Sequence, residues 1–454
     1  MTGSSETVNV RRLAAEILLK VDTRKAYADL LLDRTLSSTP LDERDRALLT
    51  ELTYGTLRWR AKIDARLDQH LPRSLAQADA FVRNLLRVAV YQLLFLNKIP
   101  HYAAVNEAVK LAKIRGGPRT GGFVNGVLRN LMRQPDRPAA ANANHGSLAA
   151  LAVEYSHPQW LVRRWLDQFG AAEACALMSA NNQRTPLVLR ANVLKGSRDE
   201  LLAGLRAHDI AAKLAPWSPQ GVILENGGPV ENLPGFREGL FQIQGEASQL
   251  VGYLLAPAPG ERILDACAAP GGKSTHIAEL MGDIGQVIAL DHSARGLERI
   301  RRNAARLGIR SLQIQRANAS EQLSGAFAGP YDRILVDAPC SGLGTLRSHP
   351  EIKWQRQETD VRRLADLQST ILKRVAGYLK TDGVLVYSTC TLTGDENESV
   401  VEAFLAEHRG FELENAARYL PDSANPMVCG KFFQALPQRH DTDGFFAARL
   451  KKVS

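Results

Sequence analysis

The fold is decided by the stretch Arg262-Ile-Leu-Asp-Ala-Cys-Ala-Ala-Pro-Gly-Gly-Lys-Ser274. Its first residues are predicted to form a short apolar strand, and a turn and a helix follow. Glycines in such a turn let the backbone approach a ligand, and the start of the helix offers exposed N–H groups. The stretch therefore predicts a ligand-binding loop between a strand and a helix. The loop consists of Cys267, Ala268, Ala269, Pro270, Gly271, Gly272 and Lys273.

Two common phosphate-binding motifs do not fit this loop. Gly-Gly-Lys-Ser resembles the end of a Walker loop, but that loop requires glycine where this chain has Cys267. The dinucleotide fingerprint fails because its first two glycines are absent. The next predicted strand ends at Asp291, where a carboxylate suits ribose hydroxyls. A carboxylate there can also be only a helix cap, so Asp291 points to a nucleoside ligand only together with the loop.

Outward from the loop, strands and helices alternate from residue 261 to the end. Short continuous apolar strands separated by helices predict a doubly wound, mainly parallel sheet of the α/β class. A last strand is predicted from Asp443 onward. The other strands are predicted near residues 262–266, 286–291, 311–315, 332–337 and 383–388.

Cys340 and Cys390 each follow one of these strands, in turns rich in small polar residues. Because the carboxyl ends of parallel strands meet at one edge of a sheet, both thiols can face one pocket beside the loop. That arrangement suggests thiolate attack on an electrophilic ring next to a bound cofactor. A lone cysteine after a strand is more often a small buried residue, so the surrounding motifs carry the catalytic interpretation.

The first third of the chain is helical and basic. Residues 9–133 show helical apolar periodicity, Asp42 is a predicted N-cap, and residues 116–122 are predicted to break the last helix. Residues 1–150 contain 23 Lys and Arg against 14 Asp and Glu, a surplus of +9, while the remaining residues hold 34 of each. Localised basicity favours a polyanion, most simply nucleic acid, with a solvated basic surface as the alternative.

Particular side chains of this region and of the residues that follow it have different expected roles. The candidates for phosphate contacts are Arg115, Arg119, Arg129 and Arg133. Four aromatic residues are expected in the core rather than against bases: Trp59, Phe123, Trp160 and Trp165.

Between the two regions, residues 134–149 have the composition of a linker. Residues 150–255 have a mixed pattern, with a helix, a strand over 186–192, a second helix and two short strands. This pattern predicts a small α+β module leading into the last domain.

Length and composition limit the class of protein. A chain of 454 residues is too long for one core, so two or three domains are expected. Neither a membrane-spanning apolar run nor an apolar signal segment is present, and a cytoplasmic protein without membrane attachment is expected. The five cysteines do not form a disulfide framework and lack zinc-site spacing, so no metal is expected.

Three C-terminal motifs together are similar to those of the RNA cytosine-C5 methyltransferases: Asp265-Ala-Cys-Ala-Ala-Pro-Gly-Gly-Lys273, Asp337-Ala-Pro-Cys-Ser-Gly342 and Tyr387-Ser-Thr-Cys-Thr391. The helical N-terminus, with Leu52-Thr-Tyr-Gly-Thr-Leu-Arg-Trp59 and Val105-Asn-Glu-Ala-Val109, resembles the NusB-type RNA-binding domain. The pairing resembles the RsmB (Sun/Fmu) subfamily over nearly the whole chain. It implies a NusB-like RNA-binding domain at 1–140, a small α+β connecting or RNA-binding module at 150–255 and a Rossmann-like methyltransferase domain at 256–454.

The resemblance also implies a cofactor and the residues that hold it. Loop 267–273 would bind S-adenosylmethionine, with Asp291 on the ribose, Asn318 on the adenine side and Asp337 at the junction of methionine and base. The subfamily usually has aspartate at the position of Asn318. An asparagine carbonyl can accept a hydrogen bond from an adenine amino group but supplies no charge, so somewhat weaker cofactor binding is expected.

By the same resemblance, the reaction is methylation of cytosine C5 in 16S ribosomal RNA, in the position-967 class. Cys390 would be the nucleophile and Cys340 would assist release of the product. The partner would be 16S rRNA or a small-subunit assembly intermediate, and a monomer is expected. Two alternatives stay open: the same chemistry on tRNA, and a non-catalytic RNA-binding or assembly factor that keeps the fold. The helical N-terminus argues against the first, and the presence of both cysteines and the whole loop argues against the second.

Overall fold

The structure is a computed structural model and describes residues 8–71, 73–134, 147–225 and 229–454. The described chain divides into two compact units. The first, the helical unit, comprises the described residues up to Gln183 together with His349–Arg356. The second, the sheet unit, comprises Arg184–Ser348 and Gln357–Ser454. Of the linker predicted at 134–149, residues 135–146 lie outside the described residues, and its last two residues belong to helix α7.

The helices, in chain order, are α1 Val10–Arg24, α2 Ala28–Ser38, α3 Glu43–Arg58, α4 Arg60–Asp68, α5 Ala80–Phe95, α6 His101–Arg133, α7 Leu148–Glu154, α8 Gln159–Asn181, α9 Arg198–Arg206, α10 Glu246–Leu255, α11 Gly272–Leu280, α12 Ala294–Leu307, α13 Ile352–Gln355, α14 Glu358–Ala376, α15 Glu398–Glu407 and α16 Pro437–His440. The strands are β1 Leu187–Ala191, β2 Ala212–Leu214, β3 Gly221–Leu224, β4 Phe241–Ile243, β5 Arg262–Asp265, β6 Gln286–Asp291, β7 Leu312–Arg316, β8 Tyr331–Asp337, β9 Leu379–Thr389, β10 Phe411–Glu414, β11 Val428–Cys429, β12 Phe432–Ala435 and β13 Phe445–Lys452.

The predicted all-helical N-terminal region is confirmed. Asp42 caps α3, because its Oδ1 accepts a hydrogen bond from the backbone N–H of Asp45 at 2.8 Å. The apolar positions of the amphipathic helices form one buried core that includes Leu18, Leu52 and Leu86. The break predicted in the last of these helices is a kink of α6 at Gly116 and Gly117, both of which depart from helical geometry.

One of the four aromatic residues expected in the core is not buried there. Trp165 is fully buried, and Trp59 packs on the core with its ring stacked 5.1 Å from the ring of Phe95. Trp160 is partly buried. Phe123 is 36% exposed, so its placement in the core was wrong. The reason is its position on α6, since the neighbouring Val124 points into the core and leaves Phe123 on the outer face.

A short segment far along the chain, His349–Arg356, packs within the helical unit. Trp354 Nε1 donates to the carbonyl of Leu57 at 2.7 Å, and the buried Glu351 accepts from the backbone N–H of Ala28 at 3.1 Å. The ammonium of the fully buried Lys353 donates to the side-chain oxygen of Asn182 at 2.7 Å and to two backbone carbonyls at 3.2 Å. Burial lowers the pKa of Lys353 well below its ordinary value, and the charge of Arg58 adds to this effect.

The sheet unit contains the predicted doubly wound α/β sheet. Its strand order is β11-β12-β13-β9-β8-β5-β6-β7, and β10 pairs with β13. Strands β5 to β9 pair in parallel, and β13 runs antiparallel to β9. Alternate residues of β5 enter different cores, since Ile263 packs in one buried cluster and Leu264 in another. Both faces of this sheet are therefore covered.

A separate antiparallel sheet with the order β2-β3-β1-β4 precedes the parallel one. The sequence predicts two short strands after α9, but three are present in the described part of this stretch. One strand went unpredicted because β2 and β4 are each only three residues long, too short for a clear alternating pattern. Strand β4 joins the sheet through its register with β1, where Phe241 lies opposite Ala191.

Candidate active site

The loop between β5 and α11 lies at the carboxyl ends of the parallel strands. Gly271 has φ +99°, and a Cβ atom there would lie 3.1 Å from the side chain of Ile300. Glycine is thus required both for the backbone angle and for the space. Helix α11 begins directly after it, and no side chain caps its first turn. The N-terminal end of α11 therefore offers backbone donors and a partial positive charge.

Asp291, at the end of β6, stabilises the loop by hydrogen bonding. Its Oδ2 accepts from the backbone N–H of Ala269 at 3.0 Å, and its Oδ1 accepts from that of Ser293 at 2.8 Å. Asp291 is 9% exposed, and a carboxylate has about four acceptor positions. The residue therefore shapes the loop and keeps acceptor capacity for hydroxyl groups.

Asp265 ends β5 and lies beneath the loop, with its side chain buried. Ser274 Oγ donates to its Oδ2 at 2.6 Å, whereas its Oδ1 is buried without a hydrogen-bond partner among the described residues. Burial raises the pKa of Asp265 to about 7, although the hydrogen bond from Ser274 lowers it. Near neutral pH this carboxyl group is therefore divided between its neutral and ionised forms.

A polar chain joins the loop to the ends of β8 and β9. Lys273 Nζ lies 2.7 Å from Asp337 Oδ2, and Ser388 Oγ donates to Asp337 Oδ1 at 2.9 Å. Asp337 and Ser388 are also opposite each other in the strand register. Asp337 thus holds the charge of Lys273, whose Nζ also lies 4.7 Å from the ring centroid of Phe445.

The structure brings the two cysteines together. Cys340 Sγ and Cys390 Sγ are 3.2 Å apart, and both residues are partly buried. Their loops are joined by a backbone hydrogen bond of 2.9 Å from Gly344 N–H to the carbonyl of Cys390. The hydrogen bond with Cys390, and after it burial, raises the pKa of the Cys340 thiol well above its ordinary value. Cys340 is therefore a thiol that keeps its proton.

Asn318 and Cys267 occupy less distinctive positions. Asn318 follows β7 and is exposed, with its Oδ1 accepting from the backbone N–H of Ser320 at 3.1 Å and its Nδ2 donating to Glu321 at 2.8 Å. Its amide therefore closes a local turn. Cys267 packs against the core below the loop, and burial raises the pKa of its thiol well above the ordinary range. That environment suits a packing residue.

Sequence reasoning missed three residues that hold the site together. Arg190 of β1 is fully buried, forms a 2.6 Å ion pair with Glu279 of α11 and donates to the carbonyl of Gly272 at 2.7 Å. Ser388 supports Asp337, and Glu396 lies fully buried between the two cysteine loops. Ser388 could have been found from its place two residues before Cys390. The local sequence around Arg190 or Glu396 does not predict which residues they contact.

The donor set fits a ligand that carries both cationic and hydroxyl groups. The uncapped start of α11 and the conformation of Gly271 present backbone N–H donors at the loop. Asp265, Asp291 and Asp337 supply carboxylates around it. The buried, unpartnered Oδ1 of Asp265 is a polar atom that such a ligand could satisfy.

Comparison with known proteins agrees with this geometry. A family model described as 16S rRNA methyltransferase RsmB/F matches residues 252–451, a NusB family model matches 8–133, and an RsmF/B-like ferredoxin-like domain matches 157–231. A probable ribosomal RNA small subunit methyltransferase B of Bacillus subtilis is 39% identical over 98% of this chain and 99% of its own. The chain belongs to the ribosomal RNA small subunit methyltransferase B family.

Other members and solved structures support that assignment. The family member of Pseudomonas syringae is 37% identical over 98% of both chains. A solved crystal structure 26% identical to this chain aligns with 99% of it and 100% of its own length at TM-score 0.83. A methyltransferase homologue from Pyrococcus horikoshii is 28% identical, with TM-score 0.58 over 68% of this chain and all of its own. The fold is that of an RNA methyltransferase of this family with a NusB-like helical region.

The basic helical region keeps its candidate phosphate contacts at the surface. Arg115, Arg119, Arg129 and Arg133 of α6 are all exposed. Within the described residues, no helix is both long and apolar enough to cross a membrane. An RNA partner is expected for a chain with these two family regions.

Proposed function

We propose that this protein methylates C5 of a cytosine in 16S ribosomal RNA, in the position-967 class, through a covalent adduct between Cys390 and C6 of the base. The observation that carries the proposal is the pair of thiols, 3.2 Å apart, beside the Lys273–Asp337 pair. A cysteine with a purely structural role requires neither a second thiol nor an ion pair beside it.

S-adenosylmethionine fits the loop and would supply an electrophilic methyl group to C5. In this proposal the start of α11 and loop 267–273 hold it, Asp291 accepts from its ribose hydroxyls, and Asn318 lies on its adenine side. The carboxyl groups of Asp265 and Asp337 lie where its cationic groups can be balanced. The exposed position of Asn318 agrees with a contact at the rim of the site.

The two thiols have different tasks. Cys390, as thiolate, adds to C6 of the cytosine, which turns C5 into an enamine-like carbon able to accept the methyl group. After methyl transfer the C5 proton passes to solvent water, the C5–H electron pair re-forms the C5–C6 double bond, and the C6–S bond breaks so that the sulfur departs as thiolate. Cys340 keeps its proton beside Cys390 Sγ and so can assist the departure of that sulfur by hydrogen bonding. Asp337 holds the edge of the base, and an unpaired or flipped cytosine is required.

Substitution of each cysteine tests the two roles. Cys390→Ser should abolish methylation and form no adduct, because a serine hydroxyl is a weak nucleophile without a dedicated base. Cys340→Ser retains the nucleophile Cys390 and should accumulate the adduct. The adduct would appear as a slowly migrating band of labelled 16S rRNA on a denaturing gel.

The exposed Cys429 supplies the matched control, since Cys429→Ser should behave as wild type. The reverse band pattern would exchange the roles of Cys340 and Cys390. Full turnover by both variants would remove thiol catalysis, and adduct on tRNA but not on 16S rRNA would replace the substrate.

A further inference from the structure

Glu396 is a carboxylate that is completely buried at the site without being part of the proposed chemistry. It lies six residues after Cys390, in the turn before α15. Within the described residues, five hydrogen bonds from neutral groups in three parts of the chain reach its carboxylate. Burying a carboxylate costs free energy unless hydrogen bonds compensate it, so we expect this buried group to have a function at the site.

The first group of contacts comes from the loop that carries Cys340. Ser341 donates its backbone N–H to Glu396 Oε1 at 2.8 Å and its hydroxyl to Oε2 at 2.5 Å. Gln368 of α14 donates Nε2 both to Glu396 Oε1 and to the carbonyl of Pro339, each at 3.0 Å. The residues on either side of Cys340 are thus both tied to this carboxylate.

The second group comes from the loop that carries Cys390. Thr393 Oγ1 donates to Glu396 Oε2 at 2.8 Å, and Thr391 Oγ1 lies 3.4 Å from the same oxygen and 2.7 Å from Ser341 Oγ. Tyr387, three residues before Cys390, donates its hydroxyl to the backbone carbonyl of Glu396 at 2.6 Å. An ionised carboxylate, which only accepts hydrogen bonds, matches this ring of donors.

We propose that Glu396 is a positioning residue for the two thiols: its hydrogen bonds clamp the Cys340 loop to the Cys390 loop. The inference rests on the proposed function, since it gives a reason for the spacing of the two sulfur atoms. Misplacement of a reacting group by about 1 Å can cost about a hundredfold in rate, so such a clamp matters to the reaction.

The charges around Cys340 set the direction of the effect. The hydrogen bond with Cys390, burial and the negative charge of Glu396 all raise the pKa of the Cys340 thiol. Tyr387, which interacts with Cys340 and with Asp337, has its own pKa raised well above the ordinary value by burial, and Asp337 is paired with Lys273. Removing the charge of Glu396 should therefore make Cys340 easier to ionise.

The test compares Glu396→Gln with Glu402→Gln, a nearby exposed glutamate on α15, in the full-length protein. Alkylation of Cys340 by iodoacetamide is followed against pH by peptide mapping, which needs no RNA. We expect Glu396→Gln to move the midpoint for Cys340 to lower pH and to lower kcat on 16S rRNA at least tenfold, with KM for S-adenosylmethionine within about threefold. Glu402→Gln should match wild type in each measurement.

Should Glu396→Gln fail to fold, Ser341→Ala provides the second variant, because it removes one hydroxyl donor and keeps the carboxylate. It should lower kcat by at least about threefold with KM for the cofactor unchanged, corresponding to the loss of one hydrogen bond. A wild-type pH midpoint for Cys340 in Glu396→Gln, or a wild-type kcat in Ser341→Ala, would overturn the positioning role. Activity retained by Cys390→Ser would instead overturn the proposed function, so the two failures are distinguishable.

Discussion

Asp265 shows how the surroundings of one residue change its chemistry. Its sequence context places it at the end of a strand before a glycine-containing loop but gives no information about its protonation. That property depends on burial by residues distant in the chain, which raises the pKa to about 7. The same reason applies to Cys340, because its place after an apolar strand does not reveal the contact with Cys390 and the burial that raise the pKa of its thiol.

The raised pKa of Asp265 predicts a pH-dependent stability. Between the usual value of 3.8 and about 7 the folded protein holds a proton that the unfolded chain has released, so the free energy of unfolding falls as the pH rises through this window. Above about pH 7 this contribution is lost and the curve is flat. Hydrogen exchange of the β5 amides should therefore show greater protection at pH 5 than at pH 8.

Asp265→Asn should remove most of that difference, because the amide does not titrate. Glu412→Gln, at an exposed position on β10, should keep it. Equal differences in wild type and Asp265→Asn would show that Asp265 is ionised throughout.

At the scale of elements, the strands of the parallel sheet were predicted within a few residues, because continuous apolar runs between helices have few alternatives. Helix α13 was not, since it has only four residues and its partners lie in a different part of the chain. The buried network around Glu396 was likewise invisible, because its donors come from β9, α14 and two loops. Hydrophobic periodicity indicates which face of a helix or strand is buried, but it does not indicate the polar contacts between elements.

The start of α11 makes a prediction of its own. Gly271→Ala would place a Cβ at φ +99° and 3.1 Å from Ile300, so the loop should shift and S-adenosylmethionine affinity should fall at least about tenfold by calorimetry. Gly282→Ala at the other end of α11 is the matched control, because its φ is +66° and no atom lies within 4 Å of the added Cβ. Both changes should cost about 1 kcal/mol of stability. A similar loss of affinity in both would assign the effect to stability alone.

At the scale of the whole molecule, the charge distribution was readable from the sequence, because counting needs no structure. The domain limits at 1–140, 150–255 and 256–454 remain a prediction, and the two compact units are drawn from contacts in space. Domain limits are predicted from a sequence at its linkers. The assignment of His349–Arg356 to the helical unit depends on contacts in space and therefore could not be predicted in this way.

The basic surface predicts a salt effect on RNA binding. Replacing four exposed arginines of α6 with glutamine in the full-length protein should weaken 16S rRNA binding. The slope of log affinity against log salt should fall by about one for each phosphate that is no longer neutralised. The substituted residues are Arg115, Arg119, Arg129 and Arg133. Filter binding at several salt concentrations measures the slope.

Four exposed arginines elsewhere in the helical unit supply a control of equal charge: Arg34, Arg44, Arg73 and Arg163. Their replacement should leave more of the slope intact. Equal effects of the two sets would mean that net charge, and not the α6 surface, attracts the RNA.

The return of His349–Arg356 to the helical unit bears on how the chain is made. Lys353 hydrogen-bonds to the carbonyl of Arg58, 295 residues earlier. A ribosome that adds about 5–20 residues per second needs roughly 15–60 s to cover that separation. Throughout this interval the nascent N-terminal helices lack the segment whose Glu351, Lys353 and Trp354 hydrogen-bond to them. We therefore expect an isolated N-terminal fragment to leave these backbone groups without their native partners and to be less stable than the same helices in the intact polypeptide.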